Sequence, residues 1–275
     1  MKIIIRNLIK PHKLLLKIIR KINFYIQKKK YKKQFFENHQ DIIFKKINLS
    51  RNHGLQKLKE IKHKVDRNSE RTMSSEHEAL FASISVNSNY TIKNILEIGT
   101  FDGVNSLMLS LLFKETIIDT IDLDENDENF YNFYNRKNVI DKFINNRDMM
   151  IAKNKNINFK KMNSVKLIAC KKKYDLIWID GAHGYPVVCI DIINSLNLIN
   201  DNGLIICDDI ITDLDYLNSD KMYRSIAAYE TIDQLKKVNL INFELIYKRL
   251  SAEHNSTKNS RKYIAIIKKN EKINF

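Results

Sequence analysis

Three carboxylates and one imidazole stand where two apolar runs of this chain end. Tyr174-Asp175-Leu176-Ile177-Trp178-Ile179-Asp180 continues into Gly181-Ala182-His183, and Gly203-Leu204-Ile205-Ile206-Cys207 ends in Asp208-Asp209. Crowded carboxylates repel and raise one another's pKa unless a cation joins them. Asp180, Asp208 and Asp209 therefore read as oxygen ligands of Mg2+ or another hard divalent cation such as Ca2+, and no His/Cys cluster suggests zinc. The plainer alternative is that they cap loops or pair with Lys and Arg. His183, three residues past Asp180, is placed to act as a general base; a structural histidine is its alternative.

A second stretch could hold a cofactor. Asn94-Ile95-Leu96-Glu97-Ile98 runs into Gly99-Thr100-Phe101-Asp102-Gly103, two glycines four apart in a chain that has only 6. A strand entering a glycine turn and then a helix is how an α/β fold opens a ligand crevice. Asp122 ends the next apolar run 19 residues beyond Gly103, where nucleoside-binding folds place a carboxylate for the ribose hydroxyls. Asp124 competes for that role, and a solvated loop acid is the alternative for both. A dinucleotide would need a glycine where Phe101 stands, so NAD is disfavoured.

The elements that must position these groups alternate. Strands are expected over 93–98, 116–122, 157–162, 174–180 and 203–209, with helices over 104–113, within 125–155, and over 187–198 and 225–237. Strands over 243–249 and 261–268 have no helix between them and should form an antiparallel hairpin. Ser74-Ser75-Glu76 resembles an N-cap ahead of a helix over 76–86. The expected fold is α/β: a Rossmann-like, doubly wound, mostly parallel seven-stranded sheet with an antiparallel C-terminal hairpin, plus an N-terminal helical extension. The boundary falls between residues 1–68, the extension, and 69–275, the cofactor-binding domain.

The formal net charge of +15 suggests a nucleic-acid binder until it is mapped. Residues 1–66 hold 19 Lys/Arg against 4 Asp/Glu, while the remainder holds 28 of each and is neutral. The basicity belongs to the arm. Lys2, Arg6, Lys10, Lys13, Lys17, Arg20 and Lys21 fall on one side of a helix over 1–26, and Ile4, Leu8, Leu15, Ile19, Ile22 and Ile26 on the other. Pro11 interrupts that helix, and 34–68 reads as a polar helical connector. A basic amphipathic helix through residues 1–33 suits an anionic membrane surface. Packing on its own domain, or a homo-oligomer contact, is the alternative, with nucleic acid least favoured. No apolar run approaches the roughly 20 residues that cross a bilayer, and no signal-peptide pattern is present. The 3 Cys sit in apolar settings and read as free thiols. A cytoplasmic protein is expected, peripheral at the inner face of a membrane if the arm binds lipid.

Leu96-Glu97-Ile98-Gly99-Thr100-Phe101-Asp102-Gly103, Ile121-Asp122, Trp178-Ile179-Asp180-Gly181-Ala182-His183 and Asp208-Asp209, in that order, resemble a class I S-adenosylmethionine-dependent methyltransferase. The resemblance is closest to the metal-dependent group of macrocin O-methyltransferase and the cephalosporin-hydroxylase-like proteins, and covers roughly residues 70–270. It implies that Glu97, Gly99 and Gly103 line the methionine end of S-adenosyl-L-methionine, with Thr100 and Asp180 in the same crevice. Asp122 would hold the ribose and Ser164 lie near the adenine. It assigns Asp180, Asp208 and Asp209 to the metal and His183 to the base. Relatives often carry Gly-Asp-Ser where this chain has Met162-Asn163-Ser164. The implied activity is O-methylation of a hydroxyl on a sugar, glycan or small natural product. Base methylation is disfavoured, because the Asn/Asp-Pro-Pro-aromatic turn of amino-methylating enzymes is absent. A different class of reading is a non-catalytic, membrane-associated cofactor-binding or scaffolding protein of the same fold.

Overall fold

Continuous apolar runs bounded by polar turns become strands buried on both faces, and that rule builds this chain. In the computed structural model the described residues are 33–61, 64–65, 75–132, 140–213, 226–251 and 261–270, with the helical Leu15, Ile18, Ile19, Lys21, Ile22, Tyr25 and Ile26. The helix expected over 1–26 and the lysine cluster after it lie otherwise outside them, as do Ser74 and Ser225. The strands are β1 (Asn94–Ile98), β2 (Ile117–Asp122), β3 (Ile157–Lys161), β4 (Tyr174–Ile179), β5 (Ile199–Ile210), β6 (Ile241–Tyr247) and β7 (Tyr263–Lys269). They form one sheet in the order β3-β2-β1-β4-β5-β7-β6. The first five are parallel, and β7 runs antiparallel between β5 and β6. The expected sheet and terminal hairpin are both present.

Helices cover the two faces. They are α1 (Lys33–Lys46), α2 (Arg51–Ile61), α3 (Glu76–Ser85), α4 (Val104–Leu112), α5 (Glu128–Asn132), α6 (Ile140–Ala152), α7 (Val187–Leu198) and α8 (Ile226–Lys237). Alternate strand residues serve opposite cores. Ile95, Leu176, Trp178 and Ile206 meet α3 and α4 on one face; Leu96, Ile177, Ile179 and Ile205 meet α7 and α8 on the other.

The stretch expected to be a polar connector is part of this core. Phe44, Ile47, Leu49, Ile61 and Val65 are buried in the same cluster as Trp178. Gly54 lets α2 cross α3 at close range: a Cβ there would lie 2.5 Å from the Ala79 carbonyl. Arg51 grips Glu76 with Nε at 2.6 Å and Nη2 at 3.0 Å from its two oxygens. The hydrophobic core therefore begins well before residue 69.

Candidate active site

β1 has β2 on one side and β4 on the other, so the winding reverses beside it, and the crevice at such a switch point is where open α/β sheets bind ligands. The turn after β1 fills that position. Gly99 has φ 102°, and a Cβ there would collide with the Asp180 backbone, so this glycine lets the β1 turn lie against the end of β4. Phe101 is also left-handed (φ 51°) and its N–H donates to Asp122 Oδ2 at 2.8 Å. Leu123 N–H donates to the other Asp122 oxygen at 2.8 Å. The two backbone donors hold the Asp122 carboxylate in place. Gly103 (φ 74°) caps α4 and abuts α6, where a Cβ would lie 3.0 Å from the Arg147 carbonyl.

Glu97 stands two residues before Gly99, near the end of β1. It is fully buried, accepting from Asn105 Nδ2 and Thr120 Oγ1, each at 2.6 Å, and from the Ser106 hydroxyl. Thr100 Oγ1 joins the network through Thr120 at 2.6 Å. Burial pushes the Glu97 carboxyl up to about 7 against the pull of these three donors. The residue ties β1, β2 and α4 together beneath the turn. On the far side of the crevice, Ser164 opens a 3-10 helix (Ser164–Ala169) that Asn163 caps by accepting from the Val165 N–H at 3.0 Å. Behind it Asp191 is wholly buried, and its carboxyl rises to about 6.

The two acids at the end of β5 are paired with cations that belong to the chain. The register between β5 and β7 shifts between Cys207 and Ile210, and Asp209 has φ 56°. In a regular strand consecutive side chains point to opposite faces; this bulge lets two neighbours converge. Lys248 Nζ lies 2.5 Å from both Asp208 Oδ2 and Asp209 Oδ1, and Lys262 Nζ lies 2.9 Å from Asp209 Oδ1. Burial alone would raise the Asp208 pKa, but the Lys248 charge overrides it and brings the group down to about 2. Burial and the Asp208 charge raise Asp180, whose side chain keeps 35% exposure.

His183 Nε2 stands 3.6 Å from Asp180 Oδ1 and 3.6 Å from Asp209 Oδ2, with 9% of its side chain exposed. Burial lowers its pKa, partly opposed by Asp209 and Asp208, so it is neutral at neutral pH. Asp180, His183 and Asp209 present ligand atoms within 4.8 Å of one another. His183 joins two of the three acids in this group, and Asp208 Oδ1 is buried with no hydrogen-bond partner. Asp208 and Asp209 also pair with Lys248 and Lys262, the alternative that the sequence left open.

Residues 96–210, from β1 to the end of β5, match a family model described as a methyltransferase domain. Among solved structures, a candidate caffeoyl-CoA O-methyltransferase of Staphylococcus aureus matches with a TM-score of 0.52 and 17% identity over 78% of this chain and 92% of its own. The SAH-bound methyltransferase of Podospora anserina matches with a TM-score of 0.51 and 16% identity over 78% of this chain and 88% of its own. At these identities the likeness concerns the fold alone, a mostly parallel seven-stranded sheet covered by helices. A comparison with curated proteins gave no match.

The structure gathers Gly99, Asp122, Asp180, His183 and Asp209 along one sheet edge and adds residues that the sequence reading passed over. Lys248 and Lys262 flank the β6–β7 hairpin at that edge because β7 runs antiparallel to β5. That position follows from the expected hairpin, although nothing else marks these two among 47 Lys and Arg. His77, from the first turn of α3, packs against Trp178 with ring centroids 5.2 Å apart.

Proposed function

We propose that this chain transfers the methyl group of S-adenosylmethionine to a hydroxyl oxygen. The observation that carries the proposal is the neutral, nearly buried His183, held between two carboxylates beside a glycine turn suited to the cofactor. When bound, S-adenosylmethionine supplies an electrophilic methyl on a sulfonium. Gly99, Thr100, Gly103, Asp122, Ser164 and Asp180 form its crevice, with Asp122 accepting from the ribose hydroxyls and Glu97 fixing the turn from below. His183 Nε2 takes the hydroxyl proton as the C–O bond forms and the S–C bond breaks, which leaves a methyl ether and a neutral thioether. Asp180 and Asp209 then stabilise the imidazolium. His183 acts while neutral, and burial keeps it neutral.

A sugar, glycan or small natural product is the acceptor we favour. Tyr185, 79% exposed two residues past His183, offers an open aromatic face against which a sugar ring or small aromatic could lie. The basic arm supports a membrane-side location. Leu15, Ile18, Ile19, Ile22 and Ile26 are exposed at helical spacing, 43–58% each, on a segment rich in Lys and Arg. That pattern suits the face of an anionic bilayer, and no helix among the described residues is long and apolar enough to cross one.

Titration calorimetry with S-adenosylhomocysteine tests the cofactor half. Micromolar binding that falls at least ten-fold in Asp122→Ala is expected, and no binding to the intact chain would end the proposal. Radiolabelled methyl transfer to a panel of hydroxyl acceptors tests the other half.

A further inference from the structure

The acids at the end of β5 already hold cations of the chain. Lys248 Nζ lies on both Asp208 and Asp209, and Lys262 Nζ on Asp209. A divalent ion would stand among ammonium groups already seated on two of its three expected ligands.

Nor is Lys248 a surface lysine that happens to reach inward. Its side chain is 10% exposed and that of Lys262 18%, and a charge so deeply placed is stable only when paired. The backbone on either side of Lys248 is fixed. Lys248 N–H donates to the Lys262 carbonyl at 2.9 Å, and its own carbonyl accepts from the Glu76 N–H at 2.9 Å. One residue earlier, Tyr247 exchanges two hydrogen bonds with the Gln40 side chain. The ammonium is held where it is by α1, α3 and β7 together. The bulge at Asp208–Asp209 turns two consecutive carboxylates toward it, and a strand in regular register would offer one.

We infer that Lys248 and Lys262 are the cation of this centre: the two ammonium groups carry the positive charge that a bound metal would otherwise supply, and the site works with no divalent ion. The inference rests on the methyl-transfer reading for what the centre does, but the charge set can be tested apart from it. A built-in cation fixes the Asp209 carboxylate beside His183 without exchanging with solvent, and it makes the centre indifferent to chelators.

The test is a Mn2+ titration of the full-length chain, followed by loss of the free-ion paramagnetic signal, with Mg2+ calorimetry in parallel. The intact protein should leave the Mn2+ signal unchanged up to millimolar concentration. Lys248→Met combined with Lys262→Met should bind about one Mn2+ per chain at least ten-fold more tightly than the intact protein. Stoichiometric micromolar Mn2+ or Mg2+ binding by the intact protein would overturn the inference, whether or not the double variant folds. A folded double variant that binds no better than the intact protein would also overturn it. S-adenosylhomocysteine titrated into the same intact preparation separates the two ideas: its failure to bind removes the methyl-transfer reading, while the metal titration still decides the charge set.

Discussion

Gln40 grips the main chain of Tyr247 from both sides. Its Nε2 donates to the Tyr247 carbonyl at 3.0 Å, and its Oε1 accepts from the Tyr247 N–H at 2.9 Å. The contact joins α1 to the last residue of β6, and the residue after it carries the ammonium that meets Asp208 and Asp209. A segment that reads in the sequence as a polar helical connector is thereby tied to the acids at the end of β5.

Gln40→Ala should leave a buried backbone donor and acceptor unpaired, a loss of about 1–3 kcal/mol. Urea denaturation measures it. Removing residues 1–32 should cost little by comparison, whereas removing 1–68 should abolish cooperative unfolding, because Phe44, Leu49 and Ile61 leave the core with it. A stable, cooperative fragment beginning at residue 69 would contradict the packing described.

His183→Ala should lower kcat by about 100- to 10,000-fold, the usual contribution of a positioned base, while the affinity for S-adenosylhomocysteine stays within two-fold. The imidazolium cannot accept a proton, so the rate of the intact protein should rise with pH. Because burial lowers the His183 pKa, the midpoint of that rise should lie below 6.5. A midpoint above 7 would show that the flanking carboxylates outweigh burial.

Glu97 makes a prediction about stability. Its carboxyl titrates near 4.5 when unfolded and at about 7 when folded, so the folded state holds the proton more tightly between those values. Its contribution is complete below pH 4.5 and is lost as pH rises toward 7, by on the order of 3 kcal/mol. Glu97→Gln should flatten the thermal midpoint across that window. An unchanged pH dependence in the variant would mean that another group sets it.

Gly99→Ala would force a side chain into left-handed backbone and against the Asp180 carbonyl. A loss of more than about 1 kcal/mol is expected, with weaker S-adenosylhomocysteine binding, since the turn and the end of β4 would have to part. Differential scanning calorimetry and titration calorimetry on one preparation check both.

How much of this was legible depended on whether a feature was local. β1, β4 and β5 announce themselves because strands buried on both faces are unbroken apolar runs, and Asp180, Asp208 and Asp209 stand where such runs stop. Two ammonium groups meet the acids at the end of β5. Their identity was hidden because Lys248 and Lys262 arrive through the antiparallel pairing of β7 with β5, a contact between residues about 40 to 53 positions apart. The bulge that turns Asp208 and Asp209 the same way leaves no trace in residue type. Nor did Phe36, Phe44 and Leu49 stand out as core positions, because Lys and Asn surround them.

Both rims of the sheet are closed, by different means. At one end α1 lies along β6, with Phe36 edge-on to Tyr247 at 5.4 Å and Gln40 taking up that residue's backbone groups. At the other, β3 ends in Lys160 and Lys161, whose side chains are 58% and 45% exposed. An edge covered by a helix or studded with lysine is a poor template for a strand from another molecule. The protein should therefore resist strand-templated aggregation when concentrated.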